Sequence, residues 1–308
     1  MNLYSVLRQK LIFLVAGMLL LLFAQFSIAG TLQYSAKLQD SSWELSQNSR
    51  LQCTLSHQIP RYGAANFSAK ANRKLNMSFE LDMLYKFILL DMLLLPDTYA
   101  LATIRSEPPN WRPGASGRPL GNMKLYKQFN AGLPKEMAWT MLSELEQGMN
   151  PTFYYGHWHN KRDEISVGLS SAKFKHAYNE FVHCVSNLLN YSFDDIAYTV
   201  LNYQSNSDEF TVASKARFKK IQEFLSLDHG IELVLVDAYA DSYDGRSKNL
   251  QLSKRRAKKI KEYFIKSGID EKRIEADGHG ERRHIATNAN TLGRGENRRV
   301  VIQMENVF

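Results

Sequence analysis

The feature that most constrains the fold is a regular succession of strand and helix patterns in the last third of the chain. Residues 195–304 alternate between the period of two that marks a strand and the three-to-four spacing that marks an amphipathic helix. The predicted elements are a strand over Asp195–Tyr203, a helix ending near Gly230, a strand over Ile231–Val236, a helix from Ser253 to Gly268, a strand over Arg273–Ala276 and a last strand within Gly293–Met304. This β-α-β-α-β-β order predicts an α+β sandwich with the helices on one side of a small sheet.

An acid and a base flank the start predicted for the second of these helices. Asp241 follows the central strand, Gly245 marks a turn, Ser253 is the expected helix cap, and Arg256 comes shortly after it. One interpretation is that Asp241 and Arg256 simply pair with each other at the surface, where an ion pair contributes little. The other is that they grip a zwitterionic ligand, with its ammonium at the acid and its carboxylate at the planar fork of the arginine.

The sequence before residue 193 predicts a β-rich domain. Apolar alternation indicates strands, and two stretches with helical spacing indicate helices, the second of which is expected to end the domain. The predicted strands are Trp43–Leu45, Leu51–Leu55, Lys74–Leu84, Phe153–Tyr155, Ile165–Leu169 and one or two within Phe87–Leu95, and the predicted helices are Leu133–Gln147 and Lys173–Asn190. We therefore expect a β-rich domain over residues 30–192 and the α/β sandwich over residues 193–308.

The first residues predict export. Arg8 and Lys10 precede an apolar run over Leu11–Phe26, and the small residues Ser27 and Ala29 follow it. This is the pattern of a secretory signal peptide, cut after Ala29, although a retained membrane anchor is the alternative. Removal of residues 1–29, with two basic and no acidic residues, lowers the formal net charge from +8 to +6. An exported basic protein more often meets an anionic wall polymer or membrane surface than nucleic acid.

The chain has two cysteines, Cys53 and Cys184. In an oxidising compartment an isolated pair is expected to form a disulfide. Such a bridge would link the start of the first domain to the helix that ends it.

A longer series of spaced residues in the C-terminal part indicates a family. The positions are Asp241, Gly245, Asn249, Leu252, Ser253, Arg256, Ala257, Gly268, Ile269, Arg273, Ile274, Gly278, Gly280, Glu281, Ile285, Ala286, Asn288, Gly293, Arg294, Asn297, Arg298, Arg299 and Val300. In this order and spacing they resemble the OmpA C-terminal-like peptidoglycan-binding domain, over about residues 193–305.

This resemblance implies a ligand and a set of site residues. In that family, the acid and the arginine at the positions of Asp241 and Arg256 hold the diaminopimelate of the peptidoglycan peptide stem. Asn249 is expected to order the turn between them, and Asn297 and Arg298 are expected to line or brace the pocket. Diaminopimelate keeps a free ammonium–carboxylate end, which is the complement of one acid and one arginine.

Segments of the N-terminal domain are similar to the MotY family, the periplasmic T-ring proteins of sodium-driven flagellar motors. The matching segments are Trp43–Glu44, Leu51–Pro60, Pro109–Gly114, Lys127–Phe129, Leu142–Glu146, Pro151–Phe153 and Cys184–Leu189. The resemblance implies a β-barrel-like N-terminal domain that docks on the flagellar basal body and on the partner protein MotX, with stators assembling around the ring. It also implies a location in the periplasm, with membrane association only through partners and no nucleic-acid partner.

The residue patterns do not favour catalysis. The sequence has no Gly-x-Ser-x-Gly elbow, Walker loop or His-Glu-x-x-His motif, and we expect no catalytic residues, cofactor or metal ion. The leading hypothesis is a non-catalytic anchor that binds peptidoglycan with one domain and the motor with the other. A general tether between outer membrane and wall without a flagellar role, and a wall hydrolase, are the alternatives.

Overall fold

The computed structural model describes residues 30–72, 76–83, 100–126, 130–157, 163–205, 207–228 and 230–306. The predicted signal peptide and the strands predicted within Phe87–Leu95 lie outside these residues. Among the described residues, no helix is both long enough and apolar enough to cross a membrane.

The chain divides into two compact units, and both draw on the N-terminal half of the sequence. The first takes the described residues of Met1–Trp43, His57–Asn66 and Phe79–Phe174, and the second those of Glu44–Ser56, Phe67–Ser78 and Lys175–Phe308. Four successive strands, β2 to β5 below, contain residues of both units. The domain boundary at residue 192 remains a prediction from the sequence.

The described residues before 190 are rich in strands, as the sequence predicts. The strands are β1 (Thr31–Ser35), β2 (Trp43–Asn48), β3 (Gln52–Ile59), β4 (Gly63–Lys70), β5 (Asn76–Met83), β6 (Ala100–Glu107), β7 (Arg118–Leu125), β8 (Ala131–Leu133), β9 (Asn150–Gly156) and β10 (Glu164–Gly168), and the helices are α1 (Lys135–Glu146) and α2 (Phe174–Ser186). These strands form two five-stranded sheets, ordered β1-β10-β9-β6-β7 and β2-β3-β4-β5-β8. The β-rich class is therefore confirmed, with the described strands in two open sheets rather than in a closed barrel.

The disulfide predicted from the two cysteines is present. Cys53 on β3 and Cys184 on α2 are bonded across a sequence separation of 131 residues, with their Cα atoms 6.0 Å apart. Both side chains are buried, and both belong to the second compact unit.

The C-terminal part of the second unit is an α/β sandwich. Its elements are a helical turn α3 (Asp194–Ala197), β11 (Tyr198–Asn202), α4 (Val212–Leu225), β12 (Ile231–Ala238), α5 (Arg246–Lys266), a 3-10 turn (Glu271–Arg273), β13 (Ile274–Gly278), α6 (Thr291–Asn297) and β14 (Arg299–Asn306). The sheet has the order β11-β14-β12-β13, with β12 parallel to β13 and β14 antiparallel to its two neighbours. The buried residues of β12 alternate along the strand and share one core with the apolar face of α5, which includes Ile260 and Phe264. The predicted strands and the two predicted helices occur in the predicted order, and the structure adds the helical turn α3 before β11 and the helix α6 between β13 and β14.

The start of helix α5 differs from the prediction. The helix begins at Arg246, with Gly245 at the N-cap, so Ser253 lies inside it and does not cap it. The Ser253 hydroxyl donates to the Leu250 carbonyl oxygen and accepts from the backbone N–H of Gly280 at 2.8 Å. The serine therefore joins the helix to the loop that follows β13, while the C-terminal stop is at the predicted Gly268, which adopts a left-handed φ of 94°.

The predicted starts of two strands are also wrong. Residues predicted as the start of β11 form the turn of α3, and residues predicted to enter β14 form α6, whose N-cap Asn290 accepts from the backbone N–H of Gly293 at 2.7 Å. In both places a short helix with a polar first turn directly precedes an apolar strand, so the apolar pattern alone does not locate the boundary.

A close contact between α5 and β13 depends on a glycine. A Cβ atom at Gly278 would lie 2.2 Å from the backbone nitrogen of Lys254. Only a residue without a side chain lets the strand end approach the helix this closely. This contact fixes the part of α5 that carries Arg256.

Candidate ligand-binding cleft

The residues predicted to bind a ligand meet in one cleft of the α/β sandwich, with a volume of about 450 Å³. It lies where the loops after β11 and β12 reach the first turns of α5. Its lining residues are Ser207, Asp208, Ala240, Asp241, Asp244, Asn249, Leu252, Arg255, Arg256 and Arg298. Four of the five predicted ligand-binding residues are among them, and Asn297 is not.

Arg256 forms the base of the cleft. Its side chain is fully buried, its Nη2 donates to the Ser207 carbonyl oxygen, and its guanidinium lies 4.0 Å from the ring centre of Tyr203. Burial lowers the pKa of Arg256, and Tyr203 and the nearby carboxylates partly offset this shift. Burial also raises the pKa of Tyr203. An arginine guanidinium is not deprotonated in proteins, so the group stays charged, and a buried charge of this kind favours an anionic partner.

Asp241 and Arg256 do not pair with each other. Asp241 Oδ2 accepts from Arg298 Nη1 at 2.7 Å, and the two side chains are 13% and 14% exposed. Arg256 instead faces Asp208, with 3.7 Å between Arg256 Nε and Asp208 Oδ1. The simple surface pair considered for the sequence is therefore wrong, and the cleft holds two acid–arginine pairs.

The two asparagines brace the walls. Asn249 is buried in the first turns of α5, and its Nδ2 donates to the Asp244 carbonyl oxygen at 2.7 Å and to Glu281 Oε2 at 3.1 Å. It therefore holds the turn after Asp241, as expected from the sequence.

Asn297 is fully buried behind the cleft. Its Oδ1 accepts from the backbone N–H groups of Ile285 and Ala286, and its Nδ2 donates to Asn288 Oδ1 at 3.1 Å. Asn288 Oδ1 in turn accepts from the backbone N–H of Ser242, at 3.3 Å, directly after Asp241. Asn297 thus supports the loop over residues 285–288 without facing the ligand space.

Sequence reasoning did not find Asp208 or Tyr203. Both lie in the loop between β11 and α4, where no periodic pattern assigns a side chain to a site. The sequence indicated only that this loop follows a predicted strand, and a neighbouring strand leads to the helix that carries Arg256. That is weak evidence without knowledge of the sheet order.

The cleft presents three carboxylates, from Asp208, Asp241 and Asp244, and three guanidinium groups. This arrangement suits a small ligand that carries both charges. Within the described ranges, no group of three or more histidine, cysteine, aspartate or glutamate side chains could hold a metal ion.

Comparison with known proteins defines the family. The MotY N-terminal domain matches residues 34–190, and the OmpA family matches residues 202–298. The sodium-type flagellar protein MotY of Vibrio parahaemolyticus is 43% identical over 272 residues, which are 88% of this chain and 90% of that protein. The chain belongs to the MotY family.

Other listed proteins align with a smaller part of the chain. The outer-membrane lipoprotein YfiB of Pseudomonas aeruginosa is 33% identical over 101 residues, 32% of this chain and 59% of that protein. Among solved structures, the peptidoglycan-associated lipoprotein of Burkholderia pseudomallei aligns over 34% of this chain and 89% of its own, with 17% identity and a TM-score of 0.31.

Membership of the MotY family confirms the resemblance read from the sequence. It makes the chain a structural flagellar motor protein of the cell envelope and not an enzyme. The residues that would contact a ligand remain predictions based on geometry.

Proposed function

We propose that the protein is a non-catalytic periplasmic anchor of a sodium-driven flagellar motor. Its OmpA-family region binds peptidoglycan, and its MotY N-terminal region binds the basal body through MotX, in the T ring, so that stators can assemble and rotate the motor. The family assignment and the name of the Vibrio relative support the motor role. The OmpA-family match and the charged cleft support the wall-binding role.

The main support for the wall-binding role is the environment of the Arg256 side chain. Its side chain is fully buried, yet Nε and Nη1 have no hydrogen-bond partner among the residues that the structure describes. A buried guanidinium is retained at a cost in desolvation, which a ligand carboxylate can offset through charge-assisted hydrogen bonds. We therefore place the diaminopimelate end of the peptide stem in this cleft, with its carboxylate at Arg256 and with Asp241, Asn249, Arg298 and the supporting Asn297 around it.

Pull-down with purified sacculi tests this role. The Arg256→Gln variant should lose binding, because removing one partner of a buried charge pair costs about 2–5 kcal/mol of binding free energy. Lys258→Gln is a matched control, since it makes the same charge change on the same helix at an exposed position. Circular dichroism should show that both variants keep the fold, and Asp241→Asn provides a second, nearly isosteric change. Undiminished binding by Arg256→Gln and Asp241→Asn would show that the cleft is not the wall site.

A deletion strain tests the motor role. We expect cells without the protein to assemble filaments but not to swim, and the wild-type gene to restore swimming. A strain that leaks periplasmic proteins yet swims normally would instead indicate a general envelope tether. Co-purification of MotX with the full-length protein tests whether MotX is the partner.

A further inference from the structure

The sheet of the α/β sandwich has a second face, opposite the core that it shares with α4 and α5. Successive side chains of a strand point to opposite faces, and residues paired between neighbouring strands point to the same face. Because Val234, Val236 and Ile302 belong to the core, the residues that alternate with them lie on the second face. This outer face consists of Tyr198 and Val200 on β11, Val301, Gln303 and Glu305 on β14, Leu233, Leu235 and Asp237 on β12, and Glu275 and Asp277 on β13.

Apolar side chains form a strip across the outer face. Tyr198 is 61% exposed, and Leu233 and Leu235 are partly exposed. Val200 and Val301 are paired with each other and extend the strip along β11 and β14. A cavity of about 300 Å³ opens on the strip and is lined in part by Tyr198, Leu233 and Leu235. The strip spans three neighbouring strands, which is a width of two strand spacings of about 4.8 Å, close to the diameter of one α-helix.

Carboxylates border this apolar strip. Glu275 and Asp277 lie beside it on the edge strand β13, and Glu305 lies at one end of it on β14. All three side chains are exposed, and none has an ion-pair partner among the residues that the structure describes. Asp237, by contrast, pairs with His279, with 2.6 Å between Asp237 Oδ1 and His279 Nε2.

Two arginines near this border have contacts elsewhere. Arg273, which directly precedes β13, donates from Nη1 to the Ile231 carbonyl oxygen at 3.4 Å. Arg299 is buried, with its guanidinium 4.0 Å from the ring centre of Tyr239. The exposed border of the strip is therefore acidic, although the whole chain has a formal net charge of +8. An exposed apolar patch with a polar border is typical of a protein interaction site, and an acidic border selects a basic partner.

A second copy of the chain does not supply the complementary surface from its described helices. The complement of an apolar strip one helix wide is a helix with large exposed apolar side chains three or four residues apart. The large exposed apolar side chains on the described helices are Val182 on α2, Val212 on α4, Leu250 and Ile265 on α5, and Leu292 on α6. Each stands alone on its helix, except the two on α5, which are far apart along it.

We propose that the outer face is a docking surface for a basic amphipathic helix of another protein. The apolar stripe of that helix covers the strip between Tyr198 and Leu235, and its lysine or arginine side chains reach Glu275 and Asp277. This surface shares no lining residue with the charged cleft, so docking requires neither the cleft nor wall binding.

Site-specific photocross-linking tests the occupant directly. The full-length protein, with Tyr198 replaced by p-benzoylphenylalanine, is expressed in the deletion strain and illuminated in living cells. We expect a cross-link to one other protein, at a segment whose apolar residues recur every three or four positions and are flanked by lysine or arginine. The same replacement at Tyr243, which is 71% exposed but lies outside the outer face, should not give this product.

Charge variants in the Tyr198 probe test the acidic border. Glu275→Lys/Asp277→Lys should lower the yield of the product at least about fivefold, since like charges would then face each other. Glu275→Gln/Asp277→Asn should lower it less. Glu262→Lys/Glu271→Lys makes the same change of charge at two exposed acids outside the outer face and should keep the yield. A thermal melt near that of the unaltered protein shows that each variant is folded.

Several results would overturn the proposal. They are the absence of any cross-linked protein, a product of two copies of this chain, a cross-link within one chain, and a partner segment without basic residues. An equal yield in folded Glu275→Lys/Asp277→Lys would also overturn it. None of these results bears on wall binding, which the sacculus pull-down measures separately.

Discussion

The Cys53–Cys184 bridge gives the strongest prediction about stability. It closes a loop with a sequence separation of 131 residues. On the chain-entropy estimate, a cross-link of this length destabilises the unfolded chain by about 5 kcal/mol. We therefore expect a Cys53→Ala/Cys184→Ala variant to lose up to about that much unfolding free energy, a large fraction of the 5–15 kcal/mol typical of folded domains.

Urea unfolding followed by far-ultraviolet circular dichroism measures this loss. Reduction of the wild type should lower its midpoint to that of the double variant, whereas the double variant should not respond to the reductant. Amide hydrogen exchange adds a spatial test, because both cysteines belong to the second compact unit. Exchange should accelerate in β3 near Cys53 and in α2 near Cys184. A loss below about 1 kcal/mol would refute the reasoning, since it would mean that the unfolded chain gains little freedom from removal of the bridge.

Three further predictions follow from packing and hydrogen bonds. Gly278→Ala should lower the unfolding free energy by about 1–3 kcal/mol, because the added Cβ would meet the α5 backbone. Gly245→Ala adds a Cβ in open space and should cost much less in a thermal melt. Equal losses in the two variants would contradict this prediction. Burial lowers the pKa of His57 from 6.5, so its neutral form contributes folding stability that is complete above pH 6.5 and is lost as the pH falls through the lowered pKa. The His57→Gln variant should flatten this part of the stability–pH curve. An unchanged curve would show that His57 does not cause the pH dependence. Asn297→Ala should cost about 1–3 kcal/mol because two backbone donors lose their acceptor, while Asn297→Asp, which keeps an acceptor, should lose less in the same melt.

The order of elements could be predicted because each carries a local signal. The apolar, β-branched run in Ile231–Val236 indicates β12, and the spacing of Ile260 and Phe264 with a following glycine indicates the end of α5. The start of α5 could not be predicted in this way, because its first turns are polar. They are helical because Gly245 precedes them and because Asn249 is buried against the turn and the loop after β13. Tertiary contacts, rather than apolar periodicity, fix this end of the helix.

The candidate site could be predicted only in part from the sequence, because tertiary contacts also decide which of its charged groups meet. The resemblance to the OmpA-like family implied a shared site for Asp241 and Arg256, and both line one cleft, but spacing along the chain does not reveal which charges meet in space. Arg298 reaches Asp241 from 57 residues away, and Asp208 reaches Arg256 from the loop between β11 and α4. Asp208 follows β11 and Arg298 directly precedes β14, so the pairing depends on the strand order β11-β14-β12-β13.

The distribution of charge around α5 bears on how the wall would be recognised. The basic run over Lys254–Lys261 could draw the protein to anionic polymers, but three of its lysines have acidic partners. Lys258 pairs with Glu262 at 3.8 Å, and Lys259 and Lys261 pair with Asp208 and Glu271 at 3.0 Å. The cleft itself has equal numbers of carboxylates and guanidinium groups. A neutral cleft exerts little long-range attraction, and salt at physiological strength screens exposed charges beyond about 8 Å. Short contacts to a zwitterion inside a partly buried cleft are screened much less, so recognition in this cleft should select the chemistry of one amino-acid end rather than the charge of the wall.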